Sequence, residues 1–225
     1  MIVVTGASKG LGRAICERLL SKNIDVLGLA RNVEGIPFSA LQCDVSTYEE
    51  VKGIAQKLRK DKVQVTGLIN AAGIASMNLA VITPPSVSER LIQTNLLGTI
   101  YCCQLFAPLM FRNKSGTIIN FSTIAVALGL KGESIYAASK AGVEGFTRAF
   151  AREVADFNVN VNCIAPGPIN TGLLKGITAE QIHDIVSQQI IPRQFTPEAV
   201  SDLVELLLDN RSHSLSGQVL NVGGV

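Results

Sequence analysis

"VVTGASKGLGRAI", residues 3 to 15, decides the fold of this chain. Val3, Val4 and Thr5 are β-branched and read as the end of a buried strand, whereas Leu11 onward carries apolar residues at helical spacing. Between them Gly6, Gly10 and Gly12 mark a turn where backbone has to approach another group closely, with Ser8, Lys9 and Leu11 at its rim. Strand, glycine turn and helix open a βαβ unit, and the unshielded amides at such a helix start suit a pyrophosphate. The spacing is T-G-x-x-x-G-x-G, not the commoner G-x-G-x-x-G.

Outward from this turn the same alternation continues. "IVVT" 2 to 5, "IDVLGLA" 24 to 30, "VTGLIN" 65 to 70, "GTIINFS" 116 to 122 and "NVNVNCIA" 158 to 165 read as strands, and shorter ones fall at "SALQC" and "GQVLNV". Helical patterns cover 11 to 21, 48 to 60, 87 to 111 and 136 to 156. The fold class is therefore α/β, a Rossmann-type doubly wound parallel sheet of about seven strands with helices on both faces. No repeat or linker interrupts residues 1 to 225, so one domain is expected. Two departures stand out. Only twelve residues separate Arg31 from Asp44, Gly35 and Pro37 among them, which predicts an irregular link in place of a crossover helix. Residues 172 to 196 break the alternation and predict a substrate loop, with a capping box at Thr178 and Gln181 starting a short helix.

Composition narrows the partners. With 47% hydrophobic and 17% charged residues the chain can bury a large core, and a net charge of +2 without Trp argues against nucleic acid. Cys16, Cys43, Cys102, Cys103 and Cys163 sit in apolar stretches without metal-ligand spacing, and His183 and His213 lack companions, so no metal is expected. No apolar run is read as reaching the roughly 18 residues that span a membrane, and the chain opens on "MIVVTGAS" without a leader pattern. A cytoplasmic protein acting on a small molecule is the expectation.

"SIYAASK", residues 134 to 140, places Tyr136 and Lys140 four apart, on one helix face. An ammonium beside a phenol favours the phenolate and lowers its ordinary value of about 10 toward neutrality. At the end of the second strand, "GLARN" puts Ala30 where an acidic residue would bind a ribose hydroxyl and Arg31 just after it. Arg31 and Lys9 converging on a 2'-phosphate favour NADP(H) over NAD(H).

These motifs occur in order with "CDV" 43 to 45, "NAAG" 70 to 73, Asn95 in "TNLLG" and "APGPINT" 165 to 171. Together they resemble the short-chain dehydrogenase/reductase family over essentially the whole chain. Among its branches the 3-oxoacyl carrier-protein reductases are most similar, judging by "YAASKAGVEGFTRAFAREVA", "VNCIAPGPINT" and "LSGQVLNVGG". The resemblance implies an NADPH-dependent oxidoreductase interconverting a carbonyl and a secondary alcohol, on a 3-oxoacyl thioester or another ketone, cyclic alcohol or sugar. It implies that Asp44 and Val45 hold the adenine, that Asn70, Ala71, Ala72 and Gly73 flank the adenosine ribose, and that Pro166, Gly167, Ile169 and Thr171 meet the nicotinamide. Tyr136 exchanges the proton with the substrate oxygen, Lys140 holds the nicotinamide ribose, and Asn95 supports a water that relays protons to Lys140. The family's substrate-orienting Ser lies thirteen residues before the Tyr, where this chain has Thr123, with Ser122 as the alternative hydroxyl. Lys114 matches a basic residue used for a carrier protein, and Phe157 replaces a second. A homotetramer is implied as well.

Overall fold

In a computed structural model describing residues 1–174 and 177–225, the β-branched runs become seven parallel strands. They are β1 (Ile2–Thr5), β2 (Val26–Ala30), β3 (Ala40–Gln42), β4 (Gly67–Asn70), β5 (Gly116–Phe121), β6 (Val159–Pro166) and β7 (Val219–Val222). The sheet order is β3-β2-β1-β4-β5-β6-β7, with every neighbouring pair parallel. Chain direction across the sheet reverses at β1, so the carboxyl ends of β1 and β4 leave a crevice between them.

Alternation along β1 sorts the two cores. Val3 packs on one face with Val51, Ala55 and Leu58 of α2 (Tyr48–Lys60), Phe106 and Met110 of α4 (Gly98–Phe111), and Phe150 of α6 (Ser134–Glu153). Ile2 and Val4 pack on the other with Ile15 and Leu19 of α1 (Gly10–Ser21) and Val200, Val204 and Leu207 of α8 (Pro197–Leu208). A strand covered on both faces has no polar side to show, which is why these strands read as continuous apolar runs.

The link from β2 to β3 carries no helix, as its length predicts. Phe38 packs over the sheet there instead. Gly28 makes room for it, since a Cβ at that position would stand 2.8 Å from the Ala7 Cβ and 2.9 Å from the Phe38 ring. Thr178 and Gln181 form the expected capping box at the start of α7 (Ala179–Ser187). Of the 172 to 196 excursion, residues 175 and 176 lie outside the described residues.

One expectation needs correcting. The helix running from Pro85 to Phe111 contains an 18-residue window of mean hydropathy 1.2, long and apolar enough by length and composition to cross a membrane. The polar residues Gln93, Thr94 and Asn95 interrupt the apolar run without ending it, because none is charged. In the fold one face of this helix packs into the core, with Leu91, Phe106 and Met110 buried, while 44% of that window is buried as a whole. It comprises α3 (Pro85–Ile92), a π turn at Gln93–Leu97 and α4.

All five cysteines are buried free thiols. Burial pushes Cys16, Cys103 and Cys163 up to about 12 and Cys43 to about 11, from an ordinary 9.0. Above pH 9 the unfolded chain therefore releases thiol protons that the folded chain keeps, and stability falls as pH rises through that window. Lys140, lowered to about 8, acts in the opposite direction but is one group against several. Urea unfolding should show a lower midpoint at about pH 10.5 than at about pH 8, and Cys16→Ala should flatten that dependence.

Candidate active site

The turn after β1 and the turn after β4 touch through their backbones. Gly6 has φ +70°, and a Cβ there would stand 2.8 Å from the Ala72 Cα, so only glycine fits both the conformation and the space. Gly12 packs directly on the Gly6 carbonyl. The Thr5 hydroxyl accepts from the Ala72 N–H at 3.0 Å and fastens the two turns together. Gly10, at φ +57°, faces Thr171 across the opening, its Cβ position 3.5 Å from the Thr171 Cβ. Gly6 and Gly12 thus let backbone pack directly on backbone, and Gly10 leaves the space between the turn and Thr171 unfilled, a candidate cradle for a ligand.

Lys9 precedes α1 in extended conformation, and no side chain caps the helix, so its first amides point into the cradle without a side-chain acceptor. This fits the diphosphate of a dinucleotide. Ser8 and Leu11 are partly exposed at the rim. Lys9 and Arg31 are exposed, and neither side chain has an ion pair or hydrogen bond among the described residues. Asp44 Oδ1 accepts from the Ser46 N–H at 3.0 Å and from the Ser46 hydroxyl at 2.7 Å, which fixes the carboxylate at the end of β3. Val45 is buried against Gly98. Ile169 is 7% exposed, bridged to Phe195, and Pro166 and Gly167 are partly exposed beside it.

Asn70 departs from expectation. Its side chain is 2% exposed and turns into the sheet, donating to Asn120 Oδ1 at 2.8 Å and to Cys103 Sγ at 3.3 Å. A ribose contact by the Asn70 side chain would have to break that core network, so any such contact from this position falls to its backbone.

The chain of amides leads on to α6. Asn120 Nδ2 donates to the Thr147 hydroxyl at 2.9 Å, and one residue later the Phe121 carbonyl accepts from Lys140 Nζ at 2.8 Å. Lys140 is 5% exposed, and burial lowers its ammonium to about 8. Asn95 lies on the π turn, fully buried. Its Oδ1 accepts from the Ile74 N–H at 2.9 Å, and its Nδ2 donates to the Ile74 carbonyl at 2.9 Å and to the Ser139 hydroxyl at 3.0 Å. Gly73 separates Asn95 from Lys140, its Cβ position being 3.3 Å from Asn95 Oδ1 and 3.5 Å from Lys140 Nζ. Two motifs that lie 67 residues apart (140 minus 73) therefore meet at one point.

Tyr136 behaves differently from the simple pairing with Lys140. Its phenol is pushed above its ordinary 10.0 by burial and by the Glu133 carboxylate, and the Thr123 hydroxyl opposes this through a hydrogen bond. The Lys140 ammonium gives one of its three N–H donors to the Phe121 carbonyl, which leaves two for a ligand. The two candidate hydroxyls are also separated. Ser122, 4% exposed, donates to Glu144 Oε1 at 2.7 Å, away from Tyr136, whereas Thr123 faces Tyr136 and accepts from the Ala125 N–H at 3.2 Å. The Pro166 carbonyl accepts from the Ile124 N–H at 3.2 Å, so this turn and the 165 to 171 segment move as one unit. Sequence reasoning overlooked Glu133 and Ser139. Glu133 lies three residues before Tyr136, and that helical spacing was the available signal.

Comparison with known proteins agrees with this geometry. The family described as short chain dehydrogenase matches residues 1–182. A Homo sapiens 3-oxoacyl-(acyl-carrier-protein) reductase is 33% identical, covering 98% of this chain and 95% of its own. Among solved structures, the ligand-free aldohexose dehydrogenase of Thermoplasma acidophilum superposes with TM-score 0.89 at 28% identity, covering 99% of this chain and 92% of its own. ElxO with NADP bound gives TM-score 0.89 at 28% identity, covering 98% and 96%.

Ser122→Ala should cost about 1.5–3 kcal/mol of stability, because it strips a donor from a mostly buried carboxylate. Thr123→Ala, which loses a local N–H acceptor and a contact to the Tyr136 phenol at partly exposed positions, should cost less, under about 1 kcal/mol. Urea unfolding of the two variants checks the order.

Proposed function

The chain belongs to the short-chain dehydrogenase family, and on that premise we propose that it is an NADP(H)-dependent oxidoreductase interconverting a carbonyl and a secondary alcohol. The observation that carries this reading is the Thr123 hydroxyl acting on the Tyr136 phenol, with the buried Lys140 one helical turn further along α6. Two donors converging there can receive a carbonyl oxygen and stabilise the charge that develops on it. Burial keeps Tyr136 protonated at neutral pH, the form a reductase needs in order to give a proton away. Lys140, still largely cationic at pH 7 with a value of about 8, can hold a ribose hydroxyl and restore the Tyr136 proton. Asn95 and Ser139 keep the segment at Ile74 in place beside it. A bound nicotinamide supplies or accepts the hydride.

Preference for the phosphorylated cofactor is supported by Arg31 and Lys9, two exposed cations without a protein partner among the described residues. The related ElxO binds NADP. As substrate, a 3-oxoacyl thioester is supported by the names of whole-chain relatives. Delivery by a carrier protein finds Lys114 at the expected place, whereas Phe157, where a second basic residue would sit, stacks on Phe111 with ring centroids 3.9 Å apart. A hydroxylated ketone or sugar is the second reading, favoured by the carboxylate of Glu133 beside Tyr136. In this reading one domain carries both sites, the 172 to 196 excursion covers the substrate, and four copies assemble in the cytoplasm through the small and apolar surfaces of α4 and α6.

Turnover of NADPH with 3-oxoacyl thioesters, simple ketones and sugars tests the reading directly. Tyr136→Phe should abolish turnover and leave cofactor affinity nearly unchanged, since the ring still packs and only the transferable proton is gone. Thr123→Ala should lower kcat about a hundred- to a thousandfold, and Thr123→Ser should preserve most of it. A larger loss from Ser122→Ala would overturn the assignment of Thr123. NADPH should bind at least about tenfold more tightly than NADH, as expected for a charge-assisted contact worth about 1.5–3 kcal/mol, and Arg31→Ala should remove most of that gap. Equal affinities in the unmodified protein would sink the cofactor assignment.

A further inference from the structure

Glu133 is a carboxylate without an evident structural task. It is 8% exposed, and among the described residues no side chain or backbone N–H donates to it. It occupies the cap position of α6, where its carbonyl accepts from the Ala137 N–H at 2.6 Å, yet its carboxylate caps no amide of that helix, so capping does not account for the side chain. Its oxygens are also not among the buried polar atoms sealed from solvent without a partner, unlike Asn70 Oδ1 and Gln189 Oε1, so they reach accessible space. Tyr136 follows one helical turn later on the same face, and the Glu133 charge is felt at its phenol. The neighbouring Gly132 lies against the segment after Gly73 and Ile74, its Cβ position 3.5 Å from Met77 Cγ.

We propose that Glu133 is a specificity-determining residue whose carboxylate accepts a hydrogen bond from a donor on the substrate, a hydroxyl or an ammonium group adjacent to the carbonyl that reacts at Tyr136. The physical reason is that a carboxylate on a residue only 8% exposed, with no protein donor among the described residues, is incompletely solvated, and a ligand that brings a donor relieves this. A ligand with a methyl group at the same place leaves it unrelieved. Burial raises the Glu133 carboxyl above its ordinary 4.5, in keeping with that account. The substrate class is then a hydroxylated or amino-substituted ketone and its alcohol. This inference rests on the carbonyl-reductase reading above and narrows it toward substrates rich in hydrogen-bond donors.

The test compares hydroxyacetone, aminoacetone and butanone, which differ only in the group beside the carbonyl, as substrates of the unmodified protein and of Glu133→Gln with NADPH. The variant should lower kcat/KM for hydroxyacetone, aminoacetone or both by at least about tenfold, chiefly through KM, while butanone changes by less than about threefold. A loss confined to one of the two identifies the hydroxyl or the ammonium as the donor recognised. Glu133→Asp, which keeps the charge, should restore part of the lost selectivity. The unfolding temperature of Glu133→Gln should stay level or rise, because an unpaired buried charge has been removed. An equal fall for all three ketones, a fall in unfolding temperature alongside it, or no change at all overturns the proposal and leaves the carbonyl-reductase reading standing. Absence of turnover with every carbonyl overturns that reading, and this proposal with it.

Discussion

The hydrogen-bonded chain Asn70 to Asn120 to Thr147 is the constraint on which the rest of the site depends. Parallel register pairs Thr5 with Asn70 and Asn70 with Asn120, so polar residues line up at or next to the carboxyl ends of three successive strands, β1, β4 and β5. Buried amides are costly unless they bond to one another, and these do so in only one register. A slip of one residue would leave each of them orphaned in an apolar core. The same chain fastens α6 to β5, and the bond from Lys140 to the Phe121 carbonyl adds a second fastening. With α6 held at two points, Tyr136 faces the turn after β5, where Thr123 stands.

The site is built against local electrostatic preference. Lys140 is held where burial weakens its charge, Tyr136 where burial opposes ionisation, and the Glu133 carboxylate where no donor among the described residues reaches it. A core designed for stability alone would avoid all three, and such local conflicts concentrate where a protein handles ligands. The surrounding structure compensates with two well-separated apolar cores, one on each face of the sheet. The π turn at Asn95 belongs to the same pattern. It interrupts regular helix geometry at the one place where a helix side chain holds the Ile74 segment beside Lys140.

The family resemblance and the site geometry support each other at different levels. Motif order across the chain identifies a family and its reaction class, whereas the groups around the reacting atoms decide what is bound. Thr123 and Glu133 are where that second question is open to experiment, because both face Tyr136. Phe157, stacked on Phe111, shows how a position suited to partner recognition can be absorbed into packing instead.

What the sequence alone determined is what depends on near neighbours. Gly6 and Gly10 announced a turn with close backbone approach, Thr178 and Gln181 a helix start, and the short span from Arg31 to Asp44 a link too brief for a helix. Tyr136 and Lys140 had to share a helix face, because four residues make about one turn. Tertiary structure alone decided the partners of side chains distant in sequence. It turned Asn70 into the sheet, gave the Lys140 ammonium to Phe121, and sent Ser122 to Glu144 but Thr123 to Tyr136. It also made a core helix of Pro85–Phe111, whose composition alone would suit a membrane. The reason is physical: backbone conformation follows from residues within a turn or two, whereas the environment of a buried polar group is set by strand register and helix packing that bring together segments far apart along the chain.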